Sequence, residues 1–307
     1  MVTSSKKVYI MVCSESLALR NKDWLSQMPE LGIIALVEPV FVFEERSSDI
    51  TPEVWIKLAE EIHQRTDKAS GFVVIHGLDN LLYTSSALSI LLQNLTKPIV
   101  FTGAQAELPT IKRFDIRANL INAVQAATFD FTEVALMFGN RLLRANQAVR
   151  TNDQSLNLFT VPVNSVLGRI DFSIRIFDKI AARNKGKTKL FGQLSNRVEI
   201  IEINPVLNLR NLTKKLIDRD GIIINAAKYQ NIPHDLMFLL EKITTDMPVV
   251  IWSEQITDFV LTPKNIILIN NMTWESAVIK FSWALTQSKN LKKIKELMNK
   301  DIAGEIV

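Results

Sequence analysis

GFVVIHGLDNLLYTSSALSILLQNLTKPIVFTGAQ, residues Gly71 to Gln105, decides the fold. The run Phe72-Val73-Val74-Ile75 is apolar and β-branched, which predicts a buried strand. It stops at the polar turn His76-Gly77-Leu78-Asp79-Asn80. A helix is expected over Tyr83 to Gln93, then a second strand over Ile99 to Phe101 that ends in Thr102-Gly103-Ala104-Gln105. Strand, turn, helix and strand make a βαβ unit, and a parallel sheet built from such units binds ligands at the carboxyl ends of its strands. Polar turns at successive strand ends therefore point to one site.

The same alternation extends outward on both sides. Strands are predicted at Val8 to Cys13, Ile33 to Phe43 and Val134 to Phe138, and helices at Pro52 to Arg65 and Asp115 to Thr128. Thr51 stands where an N-cap belongs and Pro52 at the first helical position, with Val54, Leu58 and Ile62 on one face. The basic segment ARNKGKTK, Ala182 to Lys189, interrupts the apolar pattern. We place a larger N-terminal α/β domain at residues 1–181, a linker at 182–194 and a smaller C-terminal α/β domain at 195–307. In the latter, strands are predicted at Val198 to Ile203, Ile222 to Asn225 and Val249 to Trp252, with helices over Trp274 to Thr286 and Leu291 to Met298.

Composition narrows the function. A chain of 307 residues exceeds what one hydrophobic core usually organises. Net charge is only +4, and Lys289, Lys292, Lys293, Lys295 and Lys300 read as the solvated face of a terminal helix whose apolar stripe is Leu291, Ile294 and Leu297, so no nucleic-acid partner is expected. The single cysteine, Cys13, fits a reducing compartment, and no run approaches the roughly 20 apolar residues of a membrane span. A cytoplasmic protein without a membrane partner is the expectation. His63, His76 and His234 lack metal-ligand spacing, there is no phosphate-binding glycine loop, and neither metal nor cofactor is expected.

The two polar turns resemble those of the L-asparaginase family, most closely its bacterial cytoplasmic type, in which the first reads His-Gly-Thr-Asp-Thr and the second Thr-Gly-Ser-Gln or Thr-Gly-Ala-Gln. The resemblance runs through nearly the whole chain. It implies an asparaginase-like α/β fold, hydrolysis of L-asparagine to L-aspartate and ammonia, and a homodimer or homotetramer.

Carried over residue by residue, the resemblance puts Ser16, in Cys13-Ser14-Glu15-Ser16-Leu17, at the position of the family's nucleophilic threonine. Ser16 keeps a hydroxyl, whereas Ser14 and Glu15 replace glycines that permit close backbone approach. Leu78 takes the place of the second threonine and has no donor or acceptor with which to move a proton. Arg150, in Arg144-Ala145-Asn146-Gln147-Ala148-Val149-Arg150, takes that of the lysine and stays charged at any working pH. Ser47, Asp79 and Ala104 match substrate-binding positions. Asp79 reads equally as a helix N-cap and Ser47 as part of a polar loop. From these residue types we expect Arg150 to pair with Asp79 and to fill part of the pocket.

The family's mobile loop after the nucleophile is long, rich in glycine and serine, and supplies a tyrosine. Here the interval Leu17 to Met28 reads LALRNKDWLSQM, with none of the glycine, proline or tyrosine that a hinged lid would use. Asn119 and Asn122 read as structural, and Trp252, Phe259, Met272 and Trp274 as either core or interface. Two functions stay open: an asparaginase whose turnover is very weak or lost, and a non-catalytic paralogue that binds a small amino acid or a partner subunit.

Overall fold

The computed structural model describes residues 6–13, 22–103, 114–151, 158–170, 174–177, 186–243, 247–256 and 266–307. The chain divides into a unit ending at Gly192 and a second beginning at Gln193. Residues Lys189–Leu190, expected within a linker, instead pair antiparallel with Leu92–Gln93 of the first unit.

Five strands form the parallel body of the first unit: β1 (Lys7–Cys13), β2 (Leu36–Phe43), β3 (Gly71–His76), β4 (Ile99–Thr102) and β5 (Val134–Phe138). Their spatial order is β2-β1-β3-β4-β5. The chain leaves β1 for one side of the sheet and returns through β3 on the other, so the carboxyl ends of β1 and β3 flank the topological switch point. β1 reads VYIMVC from Val8 because it is central and its residues are buried on both faces.

Three antiparallel strands extend the sheet beyond β5, in the order β6 (Arg141–Arg144), β7 (Val166–Ile170) and β8 (Ile174–Ile176). The sequence reading does not anticipate them. Gly139, at φ 59°, makes the tight turn from β5 to β6, a backbone conformation glycine adopts without steric cost.

Helices α1 (Pro29–Ile34), α2 (Pro52–Arg65), α3 (Leu81–Leu91) and α4 (Phe114–Ala126) connect the parallel strands. α1 corrects the expectation that strand begins at Ile33. Pro29 starts a helix there, Ile33 is 86% exposed on its outer side, and β2 begins only at Leu36. α2 buries Leu58, Ala59 and Ile62, the face its sequence period predicts. α3 is buried all round except Tyr83, so its hydroxyls must bond to backbone. Thr84, Ser85 and Ser89 do so, to the carbonyls of Asn80, Leu82 and Ser85. Ser85 is thereby committed to the helix. At the start of β3, a Cβ on Gly71 would lie 2.1 Å from the Ala127 carbonyl oxygen, so only glycine lets that strand enter the sheet.

Trp24, Leu25 and Met28, in the interval where the resemblance implies a mobile loop, pack on the core cluster formed by Val8, Ile10, Val12, Val73 and Val100. Trp24 lies in a short 3-10 helix, Lys22–Gln27. An apolar anchor holds this stretch against the sheet.

The second unit is a parallel sheet in sequential order, β9 (Val198–Glu202), β10 (Gly221–Asn225), β11 (Val249–Trp252) and β12 (Ile266–Ile269). Helices α5 (Leu209–Lys215), α6 (His234–Ile243), α7 (Trp274–Gln287) and α8 (Leu291–Asn299) accompany it. Trp252 and Met272 are buried and joined by a 2.8 Å bond from the indole N–H to the Met272 carbonyl, with Trp274 against the Trp252 ring. Phe259 lies outside the described residues. Lys280 of α7 is fully buried and forms an ion pair with the equally buried Glu305. Lys289, Lys292, Lys293, Lys295 and Lys300 are all exposed, the solvated face expected of α8 and its flanks.

Candidate active site

The switch point is built from the end of β3 and the loop before α2. His76, the last residue of β3, is 2% exposed and lies against the rings of Phe43 and Phe101, each with its centroid 6.1 Å away. Its Nδ1 is 2.6 Å from the Gly77 carbonyl oxygen, which can only accept, so Nδ1 carries the proton. Nε2 is then the unprotonated nitrogen, buried and without a hydrogen-bond partner among the described residues. Burial lowers the pKa of His76 from 6.5 to about 4, opposed by the Gly77 carbonyl and the Asp79 charge. At neutral pH it is an uncharged group beneath the turn.

Above it, Ser47 opens a one-turn 3-10 helix, Ser47–Asp49. Its hydroxyl donates to Asp79 Oδ2 at 3.0 Å, and the Asp79 N–H donates back to Ser47 Oγ at 3.4 Å. Asn80 adds a bond from Nδ2 to the Ser48 carbonyl at 3.4 Å. This contact explains Gly77: a Cβ there would stand 2.5 Å from Ser47 Oγ and 2.7 Å from its Cβ. Glycine lets the two loops close on each other. Asp79 is exposed, and its partner is Ser47 rather than the amide groups of α3, whose N-cap position is Asn80 without a side-chain cap. The structure thus joins Ser47 and Asp79, residues 32 positions apart. Below the turn, Trp55 of α2 donates to Thr84 of α3 at 2.9 Å, fixing the two helices that carry the loops.

The end of β4 is fixed in a similar way. Thr102 Oγ1 donates to the Met137 carbonyl at 3.0 Å, and the buried Asn119 amide bridges the Gly103 carbonyl at 3.2 Å and the Gly139 N–H at 3.1 Å. Asn119 therefore ties β4 to β5, the structural role expected of it. A Cβ on Gly103 would meet the His76 carbonyl oxygen at 2.4 Å, so this glycine sets how closely the two strand ends approach.

Two of the expected site residues, Ser16 and Ala104, lie outside the described residues. Leu78 is half-buried between Gly77 and Asp79. Arg150 corrects our expectation. It lies in a short ribbon in which Val149–Arg150 pairs with Phe159–Thr160; its side chain is exposed, and among the described residues no ion pair joins it to Asp79. The physical reason is local: Asp79 already has a neutral donor in Ser47, while ribbon pairing holds the Arg150 backbone beside Phe159. The preceding residues are committed elsewhere, Arg144 to Glu133 by two bonds of 2.6 and 2.9 Å and Gln147 to Ser165.

Sequence reasoning missed His76 as a buried neutral group and Gly77 as a contact point. The signal available was the glycine itself, placed between a strand and a polar turn. Among the described residues no group of His, Cys, Asp and Glu has the arrangement of a metal site, and no helix is long and apolar enough to cross a membrane.

A parallel sheet in 2-1-3-4-5 order, with a serine and an aspartate joined at its switch point and a second parallel unit behind it in sequence, defines a two-unit α/β protein. The family described as "Asparaginase, N-terminal" matches residues 4–182, and the chain belongs to the asparaginase family. It is 32% identical over 278 residues to an L-asparaginase of Dirofilaria immitis, an alignment covering 85% of this chain and 47% of that protein, so the chain spans about half its length. It is 28% identical over 320 residues to a glutamyl-tRNA(Gln) amidotransferase component of Thermococcus kodakarensis, covering 94% and 71%. The crystal structure of L-asparaginase I from Vibrio cholerae superposes with a TM-score of 0.82 at 25% identity, over 99% of this chain and 100% of that one.

Proposed function

We propose that the protein binds a small amino acid, asparagine or a close analogue, through the Asp79 carboxylate, and hydrolyses it very slowly or not at all. The observation that carries this reading is the Ser47–Asp79 contact. It presents an exposed carboxylate at the switch point, with no ion pair to an arginine among the described residues. A carboxylate so placed suits the ammonium group of an amino acid.

Slow chemistry follows from the residue types. Amide hydrolysis needs a nucleophile, a route for its proton and donors for the oxyanion. Leu78 offers neither donor nor acceptor, and Arg150 is both a poor proton carrier and exposed. By resemblance Ser16 is the candidate nucleophile, and Ala104 matches a substrate-binding position. The experiment is a pair of titrations with L-asparagine, calorimetric binding and ammonia release, on the intact protein and on Asp79→Asn. The reading requires binding that Asp79→Asn abolishes. Ordinary turnover, or binding indifferent to Asp79, contradicts it.

The family relationship supports two further parts of the reading. The protein acts in the cytoplasm, and it assembles as a homodimer or homotetramer, which light scattering of the purified chain would test.

A further inference from the structure

The antiparallel extension of the first sheet carries a row of arginines. Arg169 on β7 stands directly opposite Arg141 on β6 and directly opposite Arg175 on β8. Directly opposed residues share a face of the sheet, with Cα atoms about 4.5–5.5 Å apart. The opposite face is accounted for, because Leu142, Ile170, Ile174 and Ile176 join the apolar core. The arginines therefore face away from it. Arg169 and Arg175 are exposed, while Arg141 is half-buried, with Nη2 donating to the Phe159 carbonyl at 2.9 Å and Nε lacking an acceptor among the described residues. Among the described residues none of the three has an ion pair.

Like charges directly opposite each other destabilise a sheet, and this row holds two such contacts. Charge on an edge strand commonly serves to block unwanted pairing. That accounts for Arg175 alone: a guard is needed on β8, not on the interior strands β7 and β6. A row running inward is what an anionic partner would offset.

The strand edge indicates the shape of that partner. Among the described residues β8 is outermost in the sheet and pairs only with β7, so none of them occupies the other edge of its peptide groups. Phe177 continues the pairing by one residue, its N–H donating to the Leu167 carbonyl at 2.9 Å, and it is 38% exposed. It lies two residues beyond Arg175 and so on the same face. An extended peptide added along β8 would fill that other edge. A carboxylate opposite Arg175 would continue the row as a favourable cross-strand pair, and an apolar residue two positions along would meet Phe177.

We propose that β8 and the row Arg141, Arg169, Arg175 form a docking surface for an extended acidic segment of a partner protein, bound by strand addition. Nucleic acid would answer the charge but would have no use for the strand edge.

The test uses the full chain and a fluorescein-labelled peptide alternating glutamate and valine, followed by anisotropy at low and physiological salt. The expected result is saturable binding that weakens with salt. It should weaken at least tenfold in Arg175→Glu and in Arg169→Glu, and be lost with a peptide whose alternate residues are proline, which cannot pair. Should either charge reversal unfold the protein, Arg169→Gln with Arg175→Gln serves instead, with a smaller but same-signed loss. The proposal is overturned by absence of saturable binding, by binding unchanged in the arginine variants, by equal binding of the proline peptide, or by a single-stranded oligonucleotide binding more tightly than the acidic peptide.

Discussion

Protonation of His76 should be among the first acid-driven losses in the first unit. The imidazole is nearly fully buried between Phe43 and Phe101, and its pKa falls from 6.5 to about 4, chiefly through burial. In the unfolded chain the group titrates at its ordinary value, so between those two pKa values the unfolded state binds more protons than the native state. Stability therefore rises with pH across that window: the His76 contribution is fully present above about pH 6.5 and is lost as pH falls toward about 4. A difference of about 2.5 pKa units corresponds to about 3 kcal/mol, a large share of a typical domain's stability. His76→Asn places a non-titrating amide N–H where Nδ1 now faces the Gly77 carbonyl. Urea unfolding at several pH values should give a wild type that loses about 3 kcal/mol more than His76→Asn between about pH 7 and pH 4. Carboxylates common to both proteins cancel in the difference. Parallel pH profiles for the two proteins would refute this account of the buried histidine.

Three other consequences follow. Gly77→Ala forces a Cβ to within 2.7 Å of Ser47 atoms; it should cost about 1–3 kcal/mol in unfolding experiments and weaken ligand binding, and Ser47→Gly in the same chain should recover stability but not binding. In the second unit, burial raises the Glu305 carboxyl, yet the Lys280 ammonium and the backbone N–H groups more than offset it and hold the group ionised. Glu305→Gln leaves the Lys280 ammonium buried without its counter-charge, which should cost about 3–5 kcal/mol, whereas Lys280→Met with Glu305→Leu should lie much closer to wild type by thermal unfolding. Leu78→Thr with Arg150→Lys should raise ammonia release from asparagine at least tenfold in folded protein, since one proton-handling group is worth about 10²–10⁴ in rate; a folded double variant with no gain would move the defect to the lidless interval Leu17 to Met28 or to the replaced glycines at Ser14 and Glu15.

What the sequence disclosed depended on how local each determinant is. The α2 bounds follow from Thr51, Pro52 and the period of Leu58 and Ile62, all within one segment. The strand at Phe72 and its polar turn were legible because β3 is buried along its length and ends abruptly. Ile33 and Ile34 misled because a short apolar run fits helix and strand alike, and Pro29 was the better guide. The extension β6–β8 was missed although Gly139-Asn140, between two apolar runs, is a two-residue hairpin signal. β12 was missed although Ile266 to Ile269 is an apolar run as long as that of β11. At the site, residue types alone suggested that Arg150 meets Asp79. The actual contact, Ser47 to Asp79, depends on Gly77 and on how two loops close together, which no single segment encodes. Charge complementarity proposed a partner; packing chose another.

The central claim is that Asp79 holds an amino acid that the site does not efficiently hydrolyse. Its most direct test is calorimetric titration of the intact protein with L-asparagine, paired with continuous measurement of ammonia on the same sample. The account predicts a saturable heat that disappears in Asp79→Asn, with turnover below about 10⁻² s⁻¹, roughly 10²-fold or more under the usual lower range for enzymes. A turnover number of about 1 s⁻¹ or more, or no binding at millimolar asparagine, would contradict it.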